Sequence, residues 1–214
     1  ILLLPLVLRR QWRAAGSTMA AVAGGLLLPF LYPGPGRSIV MYRDWISTIR
    51  LHSGDFPGMT SMHYFLQKWI PYWPAWGEAA MFLVICAGII LFILLNLHLE
   101  KKMANATVII RMNVLFEWFV IIALLPNIIK TDWVLLLFSA PVITFMIFSI
   151  AAQKQYLWVP WLVILLFFFG ANSDDLLGKN LSHNILQSGL MGLANFLIVA
   201  TSLIMFVNLR KKKF

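Results

Sequence analysis

The sequence predicts an all-α fold: a polytopic transmembrane helix bundle with six full spans and a partial span at the N-terminus. Three observations carry this. Hydrophobic residues make up 61% of the 214 and charged residues 12%, where a soluble domain has roughly a quarter of its residues charged. Mean hydropathy is +0.84. The apolar residues fall in runs close to the ~20 needed to cross the ~30 Å hydrocarbon core, and the charges fall between the runs.

Ile1–Leu8 (ILLLPLVL) is the first apolar run. Eight residues rise roughly 12 Å, too little to cross. Yet RRQWR (Arg9–Arg13) behind it is the kind of basic cluster that closes a span on the cytoplasmic side. A signal peptide carries its charges ahead of the apolar run, not after it. The expectation is that Ile1–Leu8 is the tail of a helix begun upstream. Residues 1–214 then form a single transmembrane domain, the C-terminal part of a larger protein.

Six further runs are expected to span: about Gly16–Tyr32, Trp76–Leu97, Ala106–Leu125, Trp133–Ala152, Leu157–Ala171 and Gly189–Leu209. The fifth is short, which calls for little tilt or a locally thinned bilayer. Alternation puts Arg9–Arg13, His98–Asn105, Gln153–Tyr156 and Arg210–Phe214 on one side. Ten of the 17 Lys and Arg residues lie in these short segments, as the positive-inside rule requires. The net charge of +9 therefore signals topology and contact with anionic lipid rather than nucleic acid. The expected location is a bacterial inner membrane, multi-pass, with the basic connectors and C-terminus cytoplasmic. Cys86 lies inside an apolar run, so no disulfide framework or cysteine metal site is predicted.

Three connectors face the other side. The first, Pro33–Ala75, opens on the turn cluster PGPG (Pro33–Gly36). Within it, Ile39–Leu51 and Met62–Ile70 repeat apolar residues at helical spacing but are too short and too polar to span. They read as amphipathic helices in the outer interface, followed by an aromatic belt of Trp69, Tyr72, Trp73 and Trp76. Pro126–Asp132 is a short second loop, and Asn172–Ser188 a polar third.

Arg43, Arg50, His63 and Lys68 on the interfacial helices, with Lys130 from the second loop, stand against the positive-inside bias. Singly each reads as an interfacial anchor. Together they suit an anionic phosphate, with Arg as a bidentate donor and Lys as a point charge. Asp174 and Asp175, with His183 about two helical turns on, suit a sugar or a divalent cation. The same Asn-Ser-Asp-Asp stretch equally suits capping of a short helix beginning near Leu176. Glu117 and Arg111 are ionisable residues within one apolar run, which marks function by default. Six residues apart they do not share a helix face. Arg111 can snorkel outward, whereas Glu117 is expected to face the bundle interior, with a structural hydrogen bond and a functional role both open. No phosphate-cradling glycine loop, HExxH or nucleophile elbow is present. No metal site and no cofactor is predicted, and a divalent cation is left open.

In order along the chain, LLLPLVLRRQWRAAGS, YRDWISTI, GMTSMHYFLQKW and LLPNIIKTDWVLLLFSAPV resemble the C-terminal half of glycosyltransferase family 87. The resemblance covers essentially the whole chain. It implies a membrane-embedded GT-C-type hexosyltransferase of the cell envelope, a mannosyltransferase in most members. Such enzymes take the sugar from a polyprenyl-phosphate donor and pass it to an acceptor on the outer side. It further implies that the catalytic Asp lies upstream of this chain. The residues present, Arg43, Arg50, His63, Lys68, Lys130, Asp132, Asp174, Asp175 and His183, would then serve substrate binding. Two stretches depart from the family. Met59-Thr60-Ser61 stands where relatives show Asn-Gln-Ser, and Thr131-Asp132 where they carry one or two His. These departures keep a second reading open, a non-enzymatic scaffold subunit derived from such an enzyme, and behind it a transporter fragment. The expected partners are the polyprenyl-phosphate donor, membrane lipids and other membrane subunits, not nucleic acid.

Overall fold

The structure, a computed structural model, describes residues 3–52, 59–101, 107–127, 137–170 and 177–212. It is all-helical, with no strand among the described residues. In chain order the helices are α1 (Leu4–Leu8), α2 (Trp12–Leu31), α3 (Gly34–His52), α4 (Met62–Trp69), α5 (Gly77–Lys101) and α6 (Thr107–Leu124). They continue with α7 (Ala140–Gln153), α8 (Val159–Gly170), α9 (Lys179–Ser188) and α10 (Leu190–Lys212). A 3₁₀ turn, Leu125–Asn127, ends α6 at Pro126, and another, Tyr156–Trp158, leads into α8.

Among the described residues, four helices are long and apolar enough to cross a membrane: α2, α5, α6 with its 3₁₀ turn, and α10. This is compatible with a membrane protein. The fourth and fifth expected spans differ. With the 3₁₀ turns that lead into them, α7 and α8 run Leu137–Gln153 and Tyr156–Gly170, shorter than the ~20 residues of a typical span, and residue 171 of the fifth lies outside the described residues. Pro141 and Pro160 sit in the first turns, where proline starts a helix. At the other end of α7, Lys154 takes a left-handed C-cap with φ 54°. Part of the expected fourth span, residues 133–136, lies outside the described residues.

The bundle is built from α5, α6, α7, α8 and α10, with α10 packed most closely on α6, α7 and α8 and reaching α5 through Phe206 and Arg210. Phe116 stacks on Phe206 at 4.1 Å between ring centroids and meets Phe145 at 4.6 Å, and Phe92 closes the group edge-on. Between helices of this composition, lipid is as apolar as the side chains. Close fit and buried polar contacts therefore hold them together. Ser139 Oγ donates to Asn195 Oδ1 at 2.6 Å, and Asn195 Nδ2 donates to the Ala123 carbonyl at 3.1 Å. These bonds tie the start of α7 and α10 to the end of α6.

The turn cluster at Pro33–Gly36 is shorter as a stop than expected. Only Tyr32 and Pro33 lie between helices, and Gly34, at φ +80°, already opens α3. α3 folds back on α2. Ser38 Oγ donates to the Pro29 carbonyl at 2.8 Å, Tyr42 Oη donates to the Leu26 carbonyl, and Phe30 stacks on Tyr42. The Pro29 carbonyl is one of the last in α2 and has no helical donor, so the Ser38 hydroxyl satisfies it. Among the described residues, α3 makes no comparably extensive contact with any other element.

Candidate functional site

The two ends of the bundle differ in chemistry. At one end α4 lies across α10 and α5. Ser61 caps α4, its hydroxyl accepting from the Tyr64 amide at 3.2 Å. The Met62 amide donates to Asn127 Oδ1 at 2.8 Å, and Trp69 Nε1 donates to the Ser188 carbonyl at 2.8 Å. Two glycines make this seat. A Cβ on Gly192 would collide with the Ser61 backbone, and one on Gly189, which ends α9 at φ +74°, would stand 2.8 Å from Phe65 Cα. The Met59-Thr60-Ser61 stretch thus supplies the cap and the contact point of a short helix.

This end holds three of the expected site residues. His63 accepts from Trp73 Nε1 at its Nδ1, at 3.1 Å. That bond puts the proton of a neutral ring on Nε2. Lys68 is exposed in the last turn of α4, where the helix dipole favours a cation. His183 is exposed on α9 and pairs with Gln187 at 2.8 Å. Arg43 is exposed on α3, beside an open hollow along that helix face, and is not brought to α4. Arg50 lies near the end of α3. Lys130, Asp132, Asp174 and Asp175 lie outside the described residues. The start of the helix expected near Leu176 falls outside the described residues, and α9 runs from Lys179, behind Gly178. Among the described residues, no three His, Cys, Asp or Glu side chains gather where a metal could be held.

Between the ends, α5, α6 and α10 leave an apolar cavity of about 210 Å³. Its wall runs from Leu124, at the α4 end, to Phe92 and Leu203 at mid-bundle. Gly88 lies in this wall with open space where a side chain would stand. No family model, curated protein or solved structure matches this chain.

The opposite end gathers basic residues and contains the ion-pair network found among the described residues. Glu117 is fully buried on α6. Arg9, at the C-terminal end of α1, reaches it with Nη2 at 2.8 Å and Nε at 3.1 Å. The same guanidinium donates from Nη1 and Nη2 to Glu100, on the last turn of α5, at 2.9 and 3.0 Å. Asn96 Nδ2 donates to Glu117 at 2.9 Å, and Asn113 Nδ2 donates to Glu100 at 2.8 Å. Arg210 Nη1 donates to Asn96 Oδ1 at 2.6 Å, with its guanidinium over the Phe206 ring. Burial by itself would lower the Arg9 pKa. Its hydrogen bonds to Glu100 and Glu117 and their charges outweigh that and raise it further above the ordinary guanidinium range.

As expected, Glu117 faces the interior and Arg111 faces outward. The partner of Glu117 is the surprise. Arg9 reads in the sequence as part of a topology cluster, 108 residues away along the chain. The one local signal is that Asn96, Glu100, Asn113 and Glu117 stand at spacings of about one helical turn within otherwise apolar helices.

Proposed function

We propose that this chain is the donor-lipid module of an integral-membrane hexosyltransferase that takes its sugar, mannose in the first instance, from a polyprenyl phosphate. The observation that carries this reading is the apolar cavity below α4. An isoprenoid chain needs a channel with no polar group to desolvate, and this one is lined by aliphatic and phenyl side chains alone. α4 crosses two of its three walls and presents Lys68 and His63 at the same end, where a lipid phosphate would lie. In the transfer, the acceptor hydroxyl attacks the anomeric carbon and loses its proton to a carboxylate base. The bond from that carbon to the phosphate oxygen breaks, and a fixed cation takes up the charge left on the phosphate. Lys68 suits the second role, and no base is assigned among the described residues. The acceptor lies on the α4 side of the membrane and the basic end faces the cytoplasm.

A second reading, a non-enzymatic membrane subunit, has its own observation. Only 6% of the apolar window of α2 is buried within this chain, which leaves the α2–α3 hairpin for a neighbour to cover. Against a transport role for Glu117, both of its oxygens are engaged by Arg9 and Asn96.

The deciding experiment uses the full-length protein in native membranes with a photoactivatable, radiolabelled polyprenyl-phosphate mannose. Labelling is expected on α5 and α10 peptides that line the cavity. It should be lost in Gly88→Phe, whose ring would occupy the space, and sugar transfer should fall in Lys68→Ala. Labelling that ignores Gly88→Phe would remove the transferase reading and leave the subunit.

A further inference from the structure

Two arginines stand over one pair of carboxylates at the basic end, and only one of them is satisfied. Arg9 engages Glu117 and Glu100 with four hydrogen bonds. Arg210 donates only from Nη1, to Asn96. Its Nε and Nη2 are buried and have no acceptor among the described residues. Those two atoms form one edge of the planar guanidinium, an edge that takes a carboxylate in two parallel bonds. A suitable carboxylate is one side chain away, because Asn96 accepts from Arg210 with Oδ1 while its Nδ2 donates to Glu117 Oε1.

We propose that Arg210 is the alternative partner of Glu117 and that the basic end is a latch with two arrangements. In one, α1 is docked and Arg9 bridges both glutamates. In the other, α1 is released and Arg210 closes its Nε–Nη2 edge on Glu117. Two features bear on this exchange. A buried carboxylate whose cation departs is strongly destabilised, so release of Arg9 requires a replacement already inside, and Arg210 is one. Among the described residues α1 contributes one turn, Leu4–Leu8, joined to the bundle through Leu4, the buried Pro5, Leu8 and Arg9. When α1 leaves, Glu100 is left at the end of α5 beside the exposed Lys101, with a cation adjacent in the chain.

The exchange makes the two arginines redundant in part, which a mutant cycle in the full-length protein in nanodiscs can read. Arg9→Gln and Arg210→Gln should each keep most of the folded, monodisperse protein. The double variant should lose about tenfold more than the product of the two single losses, a coupling within the range of contacting residues. A second readout follows the latch itself. With Cys86→Ser as background and Leu8→Cys as reporter, labelling by a water-soluble maleimide should rise with Arg9→Gln. It should fall below the parent with Arg210→Gln, which removes the released arrangement. A role for Arg210 in packing alone would leave that labelling unchanged. The proposal is overturned if the single losses simply multiply or if Arg9→Gln alone unfolds the protein as fully as the double variant. A double variant as well folded as the parent, or Leu8→Cys labelling indifferent to Arg210→Gln, would overturn it equally.

Discussion

The bundle and the α2–α3 hairpin contain helices of similar apolar character that are used differently. Of the apolar window in α10, 56% is buried within the chain, against 6% in α2. Polar residues divide the same way. In the bundle, Asn96, Asn113, Glu117, Ser139 and Asn195 are buried and reach across to other helices. On α2, Ser17 and Thr18 turn back to the Ala14 carbonyl of their own helix, the local bonding such hydroxyls make when no neighbour is present. Apolar content thus shows which segments lipid tolerates, while buried polar residues with distant partners show which segments meet protein.

The sharpest way to break that contrast is Glu117→Lys. A cation there would face Arg9 and Arg210 and leave Asn96 without its acceptor. The expected cost is about 3–5 kcal/mol, the range for removing one partner of a buried ion pair. It would be read as loss of the folded fraction in a detergent unfolding titration. Thr18→Ala on α2 should shift the same titration by less than about 0.5 kcal/mol. Similar shifts for the two would erase the distinction between bundle and hairpin.

Gly192→Val tests the α4 seat. The added branches meet the Ser61 backbone, which cannot swing aside as a side chain would. The expected penalty is about 1–3 kcal/mol, typical of overpacking. It should come with increased thiol labelling of Ser61→Cys in a Cys86→Ser background. A variant as stable as the parent, with Ser61→Cys still protected, would mean that α4 is not held where it lies.

The long helices can be read from the sequence because run length converts directly into rise: Trp76–Leu97 is expected and Gly77–Lys101 is found. The helical spacing of Ile39–Leu51 and Met62–Ile70 likewise yields α3 and α4. The direction of α3 cannot be read this way, because it depends on Ser38 finding a bare carbonyl on α2. Glu117 is readable as inward from the cost of a charge in lipid, but its partner is not. Hydropathy gives Arg9 only the role of a topology residue, and the pairing with α5 and α6 is tertiary. The same limit applies to the expected phosphate group. Each basic residue can be named in advance, yet whether α3 meets α4 decides if Arg43 joins Lys68 and His63, and α3 stays on α2.

The smallest expected effects are the most discriminating, because a single hydroxyl can be removed from each region with little change in shape. Trp161 Nε1 donates to Thr201 Oγ1 at 3.1 Å, linking α8 to α10, and Thr201 is buried. Thr201→Val keeps the shape, removes the acceptor and leaves an indole N–H unpartnered. Such interhelical bonds average about 0.6 kcal/mol in membrane bundles, and the unfolding midpoint should fall accordingly. Tyr42→Phe removes the hydroxyl that joins α3 to the Leu26 carbonyl. Because among the described residues α3 packs chiefly on α2, that loss should leave the bundle midpoint where it is. Its signature should be a broadened distance distribution between spin labels on α2 and α3. If Tyr42→Phe instead lowered the midpoint as much as Thr201→Val, the hairpin would unfold with the bundle. The exposure of α2 would then reflect lipid contact within one cooperative unit rather than a surface kept for a second protein.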